Sequence, residues 1–208
     1  MIEMAENAKN HPPHFTNVAF DIVAIAASAG GLTAIVKVLS TLKAEFPAAI
    51  AIVQHLAPEH PSFMAEILGR CTDIIVKQAQ EGDFLTPGTA YVAPPNRHLL
   101  VNGDGTLSLS QSELVHFLRP SADLLFESVA ATYKDRAIAL VLTGTGSDGA
   151  LGVEAIKKMG GTVIVQDVET AEFAGMPSAA INTGNVDFIL PLDEISTTLV
   201  SLVMGKFN

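Results

Sequence analysis

Three polar residues each stand at the end of an apolar run. Ser28 follows Ile22-Val23-Ala24-Ile25-Ala26-Ala27, His55 follows the run at 48–53 and Gln54, and Asp148 lies in the glycine-rich turn after the run at 137–142. A serine hydroxyl is a weak nucleophile until a base takes its proton. An imidazole can be that base, and a carboxylate can hold its tautomer and stabilise its positive form. The trio therefore suits acyl transfer through a covalent serine, with the Ser28 hydroxyl expected to meet one His55 ring nitrogen and Asp148 the other. Each residue also has a plainer role: Ser28 caps a helix, His55 hydrogen-bonds its loop, and Asp148 caps the helix beginning near Gly149. His60 and His98 compete for the base, but neither directly ends a long buried strand. His55, Glu59 and His60 form a metal-type set, yet the prolines among them preclude helical ligand spacing, so neither metal nor cofactor is expected. Developing negative charge would meet backbone N–H groups beside Ser28 and around Thr145, at two helix starts. Ala29, Gly30, Thr145, Gly146 and Met176 make up that expected oxyanion and substrate-binding set.

The elements that must position these residues alternate. After the first strand, Leu32, Ile35, Val36, Leu39 and Leu42 fall at helical spacing. Strands follow at 48–53, 74–76, 137–142, 162–165 and 186–190, with helices at 62–69, from Ser121, at 153–159, after Pro177 and from Leu192. Ser121 is placed to cap its helix and Asp123 to favour the dipole. Pro87-Gly88, Pro94-Pro95 and Asn102-Gly103-Asp104-Gly105 punctuate short strands at 90–93, 98–101 and 106–109, which read as an antiparallel excursion. The expected fold is α/β: a three-layer, doubly wound, mostly parallel, Rossmann-like sheet with that small excursion. In such a sheet, ligands bind outside the carboxyl ends of the strands. Residues 1–17, with His11-Pro12-Pro13-His14, read as a flexible leader, and 18–208 as one domain.

Composition narrows the function. Of 208 residues, 49% are apolar and 16% charged, and the net charge is −10. The acidic balance argues against nucleic acid as partner. The single Cys71 excludes an internal disulfide, and neither a signal peptide nor a membrane-spanning run is present, so the chain reads as cytoplasmic without membrane insertion. A rival reading is a dinucleotide-binding module. Gly144, Gly146 and Gly149 match G-x-G-x-x-G between a strand and a helix, with Asp167 at the end of the next strand. Against it, Asp148 puts a carboxylate inside the loop meant to cradle a pyrophosphate. A non-catalytic signalling scaffold is a third reading.

Several motifs occur in order: Ala27-Ser28-Ala29-Gly30-Gly31, Gln54-His55-Leu56, Tyr91-Val92-Ala93-Pro94-Pro95, Arg119-Pro120-Ser121-Ala122-Asp123, Leu142-Thr143-Gly144-Thr145-Gly146-Ser147-Asp148-Gly149 and Gly175-Met176-Pro177. Together, over residues 21–203, they resemble the catalytic domain of the CheB family of chemotaxis protein-glutamate methylesterases. The resemblance implies a Ser–His–Asp hydrolase that cleaves glutamate methyl esters on chemoreceptors and in some members deamidates glutamines, with the triad falling on Ser28, His55 and Asp148. Ala29 stands where many members have threonine, and Thr145 where many have methionine. The chain resembles the stand-alone and methyltransferase-fused branch, with no room for a receiver domain and an expected open site. Its expected partner is the cytoplasmic domain of a methylated chemoreceptor or a related signalling protein.

Overall fold

The computed structural model describes residues 12–55 and 62–206. Seven strands form one parallel sheet: β1 (Ile22–Ala27), β2 (Ala49–Gln54), β3 (Ile75–Gln78), β4 (Thr89–Val92), β7 (Ala137–Val141), β8 (Thr162–Gln166) and β9 (Phe188–Leu190). Their order is β3-β4-β2-β1-β7-β8-β9. β5 (His98–Val101) and β6 (Leu107–Ser110) pair antiparallel as a separate hairpin. The antiparallel excursion is thus narrower than the turn signals suggest. The strand expected at 90–93 joins the main sheet as β4, pairing parallel with both β2 and β3. The prolines around it terminate a strand; they do not reverse it.

The central strands are apolar throughout because both faces are covered. Alternate residues face opposite layers, and the two faces differ in size. Ala24, Ala26, Ala49, Ala51, Ala137 and Ala139 face α3 (Ala122–Tyr133), α4 (Ala150–Lys158) and α5 (Gly175–Asn182). These small side chains leave room for Phe126 and Tyr133 of α3, both fully or nearly fully buried. On the other face Val23, Ile25, Ile50, Ile52, Ile138, Leu140 and Ile164 meet α1 (Gly31–Leu39), α2 (Met64–Gly69) and α6 (Leu192–Val203). The hairpin extends the first layer: Leu99, Val101 and Leu107 join its core, and the Ser128 hydroxyl of α3 accepts from Val101 N–H at 3.1 Å.

At the other end of the sheet, Asp21 organises residues assigned by sequence to the leader. Its buried carboxylate takes Arg136 Nη2 at 2.8 Å, His14 Nδ1 at 2.7 Å and Phe15 N–H at 2.8 Å. Phe15 packs on the core. A buried carboxylate demands such partners, and residues 14 and 15 supply two of them.

α3 and α4 are capped by exchange. Ser121 is the N-cap of α3 but makes no side-chain cap of its own. Instead Asp148, from the loop before α4, accepts from Ala122 N–H at 2.6 Å and Asp123 N–H at 3.1 Å. Asp123 returns the arrangement, its Oδ1 accepting from Gly149 N–H and Gly152 N–H, both at 2.9 Å. Each aspartate therefore caps the other's helix, whereas local reading assigned each to its own. The helices can approach this closely because Gly152 has no side chain: a Cβ there would lie 2.5 Å from Phe126 Cβ.

Two expected outcomes follow from this junction. Gly152→Ala should destabilise the protein by about 1–3 kcal/mol in urea denaturation, as overpacking does. Asp123 bears on pH. Burial pushes its carboxyl up to about 6 from 3.8, helped by the nearby Asp148 charge and opposed by the Gly152 and Gly149 N–H groups. A carboxyl raised in the folded state contributes stability fully at pH below about 4 and loses it as pH climbs through 6. Asp123→Asn keeps an Oδ1 acceptor and cannot ionise, so its melting temperature relative to wild type should rise between pH 4 and pH 7. A difference that stays constant over that window would contradict the raised carboxyl.

Candidate active site

Sheet-building proceeds from β1 outward to β2 and then resumes on the other side at β7, so β1 sits at the point where the order reverses. The helices that follow β1 and β7 pack on opposite faces there, and such a reversal is where an open α/β sheet has its crevice. Ser28 follows β1, His55 follows β2, and Asp148 closes the loop after β7. In register, Ala27 pairs with Gln54, which makes Ser28 and His55 the next residues on neighbouring strands. Main-chain bonds fix both: His55 N–H donates to Ala27 O at 3.1 Å, and Ser28 N–H to Thr143 O at 3.0 Å. Gln54 ties them together, its Nε2 donating to Ser28 O at 2.7 Å and His55 O at 3.1 Å.

The His55 ring meets Asp148 through Nε2, at 2.8 Å from Oδ2. Both side chains are buried, at 9% and 1% exposure. Nδ1 is thereby left as the ring nitrogen for a proton from Ser28, the reverse of the wiring in the chymotrypsin-type triad. The expected Ser28–His55 hydrogen bond is absent among the described residues. Asp148 also accepts from the Ser121 hydroxyl at 2.8 Å. Burial alone would raise its carboxyl. The His55 hydrogen bond and the Ala122 and Asp123 N–H groups outweigh burial and hold it below the usual carboxylate range. A carboxylate kept ionised in that position accepts a charge-assisted hydrogen bond and fixes the orientation of the ring.

The expected oxyanion residues flank Ser28. Gly30, at φ 73°, is the N-cap of α1, and Gly149, at φ 99°, that of α4. Ser28 and Gly31 use their N–H groups internally. Those of Ala29, Gly30, Thr145 and Gly146 make no hydrogen bond among the described residues. Thr145 and Gly146 are exposed, whereas Met176 is buried and donates its N–H to Gly144 O at 2.9 Å. Gly144 is squeezed between the two sides: a Cβ there would lie 2.3 Å from Met176 Sδ and 2.9 Å from Ser28 Cβ. Met176 thus forms the wall behind the glycine loop.

Other candidates fall into structural roles. His98 is fully buried; Nδ1 accepts from Ser121 N–H and Nε2 donates to Glu113 O, both at 3.1 Å. Burial pushes its ring below the ordinary value, against the pull of the Glu113 carbonyl, which keeps it neutral. Among the described residues Arg119 makes no ion pair; it grips Asn96 Oδ1 with Nε and Nη2 at 2.9 and 2.7 Å. His60, Glu59 and Leu56 lie outside the described residues. The Gly144 end of the loop is covered by residues 173–176, with Gly144 N–H donating to Phe173 O, and the Asp148 carboxylate turns inward to cap α3. The loop offers no cradle for a pyrophosphate. Asp167 accepts from Glu169 N–H at 3.0 Å in its own turn.

Sequence reasoning missed three neighbours of this site. Ser121 and Asp123 looked like local caps, because their real partner is distant in the chain. Glu172 lies over Gly30, where a Cβ would meet its Oε2 at 2.7 Å. Its loop carried no motif of its own.

Comparison with known proteins gives the family of the chain. A Leptospira interrogans protein is 42% identical over 183 residues, covering 88% of this chain and 95% of the relative. A Rhizobium meliloti protein described as the protein-glutamate methylesterase/protein-glutamine glutaminase of the group 3 operon is 39% identical over 199 residues. That alignment covers 96% of this chain, which spans 56% of that relative. The crystal structure of the Thermotoga maritima CheB methylesterase catalytic domain superposes with a TM-score of 0.85 at 36% identity, covering 89% of this chain and all of that one. Residues 23–199 match the family described as CheB methylesterase, and the chain belongs to that family.

Proposed function

We propose that this protein hydrolyses glutamate γ-methyl esters on chemoreceptors or related signalling proteins, using Ser28, His55 and Asp148. The observation that carries the reading is the His55–Asp148 pair at 2.8 Å, buried beside the strand end that bears Ser28. Ser28 Oγ attacks the ester carbonyl carbon as its proton passes to His55 Nδ1. The tetrahedral oxyanion lies among the uncommitted N–H groups of Ala29, Gly30, Thr145 and Gly146. His55 returns the proton to the departing methoxide, and methanol leaves an acyl-serine. Water then attacks with His55 again as base, giving a glutamate carboxylate and free Ser28. A glutamine side chain would follow the same course with ammonia as leaving group, as the joint names of the relatives suggest. The Ser28–His55 hydrogen bond of this reading is one that forms as substrate binds, as catalytic hydrogen bonds commonly do.

The partner in this reading is the cytoplasmic domain of a methylated receptor. Among the described residues, no helix is long and apolar enough to cross a membrane.

Methanol release from a methylated receptor fragment, with fluorophosphonate labelling, tests the reading. Wild type should release methanol and be labelled at Ser28; Ser28→Ala should do neither. Asp148→Asn should lower kcat by up to about 10⁴-fold, as in serine proteases. Its melting temperature should be compared, because the same carboxylate caps α3. Labelling at another residue, or turnover that survives Ser28→Ala, would overturn the mechanism.

A further inference from the structure

Beside the crevice the chain makes a turn that its own folding does not require. Residues 115–118 form a two-residue hairpin turn: Val115 N–H donates to Leu118 O at 3.1 Å and Leu118 N–H to Val115 O at 2.8 Å. Both central residues have positive φ, His116 at 49° and Phe117 at 64°. Such turns favour Asn-Gly, and bulky residues there are strained. Burial does not repay that strain, because Phe117 is 93% exposed and Leu114 51%. Strain that packing leaves unexplained points to function.

The turn is held firmly. Arg119 Nη1 donates to the carbonyls of Gln111 and Ser112 at 3.1 and 2.7 Å, while its other nitrogens grip Asn96. Buried His98 bonds Glu113 O, and His116 Nε2 stands 3.9 Å from Asp123 Oδ2. An aromatic ring presented on so anchored a base loses little entropy when it meets a partner.

Its position names the partner. Leu114, Phe117, Leu118 and Pro120 wall a cleft of about 270 Å³ that His55 also lines. Because His55 lines the same cleft, a polypeptide whose glutamyl ester is served by that imidazole lies against this wall. The main sheet offers an extended segment no edge here, since β1, β2 and β7 are all interior strands. A helix satisfies its own backbone and places residues three and four positions from the ester against the apolar wall.

We propose that residues 114–118 are the docking element for the substrate, with Phe117 packing against apolar side chains of the helical segment that carries the methylglutamyl residue. This rests on the ester-hydrolase reading of Ser28, His55 and Asp148.

The test uses Phe117→Gly, which relieves the positive φ, and Phe117→Leu, which retains an apolar side chain. A fluorescent helical segment bearing one methylglutamate is titrated into Ser28→Ala protein with and without each change. Phe117→Gly should keep or raise the melting temperature and weaken binding about tenfold, in the range of an aromatic anchor, and Phe117→Leu should recover part of the loss. In the active enzyme, the ratio of kcat/KM for the segment to that for free N-acetylglutamate γ-methyl ester should fall about tenfold. Undiminished binding by Phe117→Gly, no binding by the parent, or an unchanged ratio overturns the proposal. So does a wild-type dimer that Phe117→Gly dissociates while segment binding is untouched, since the turn would then serve a second copy. Binding through Phe117 without hydrolysis would uphold docking and sink the esterase reading.

Discussion

A buried carboxylate has to be satisfied from every side, and Asp148 shows what that demand does to a fold. Its two oxygens take His55 Nε2, the Ser121 hydroxyl and the N–H groups of Ala122 and Asp123. A carboxylate buried for His55 alone would be a costly ion. Placed at the head of α3, it meets donors that would otherwise lack acceptors, together with the positive end of the helix dipole. The helix gains a cap, and the imidazole gains a fixed negative partner. Asp123 answers from the other helix by holding Gly149 and Gly152, so the loop that carries Asp148 is pinned on both sides of it. The position of a proposed catalytic group is thus set by the junction of two helices.

The sheet supplies the remaining precision. Parallel strands in register deliver Ser28 and His55 side by side, and Gln54 ties their carbonyls together. The reversal of strand order then brings the β7 loop against the β1 turn, close enough that Gly144 has no space for a side chain. Residues 173–176 close over that loop through Gly144 and Met176. This cover at Gly144, with the Asp148 carboxylate inside the loop, sets it apart from nucleotide-binding loops of the same glycine pattern.

What was legible in the sequence was whatever depends on local pattern. Apolar runs ending in Ser28, His55 and near Asp148 gave both the strands and the candidate residues, because a strand buried on both faces must be apolar and its end must face solvent or a site. The strand expected at 90–93 is misplaced because sheet membership depends on partners far along the chain, whereas the flanking prolines speak only locally. The same limit hid the exchange of caps, since Ser121 and Asp123 satisfy every local rule for capping their own helix. Phe15 and His14 looked like a polar tail because nothing nearby announces that Asp21 is buried and needs them. The turn at His116 and Phe117 carried no signal at all, lacking the glycine or asparagine its backbone prefers.

That last case shows how the molecule separates two demands. Ser28 and His55, proposed to move the proton and form the acyl bond, sit next to strand ends, where main-chain hydrogen bonds hold them. The surface that meets solvent over the cleft belongs to residues 111–119, which are held by side chains: Arg119 on two carbonyls and Asn96, His98 on a third carbonyl. His98 also accepts from Ser121 N–H, and Ser121 bonds Asp148. The two systems therefore meet at a neutral, buried imidazole. A change at the tip of the turn alters what the rim presents without crossing that imidazole. A change at His98 would reach the rim and the Asp148 carboxylate together, because each leans on a different nitrogen of the same ring.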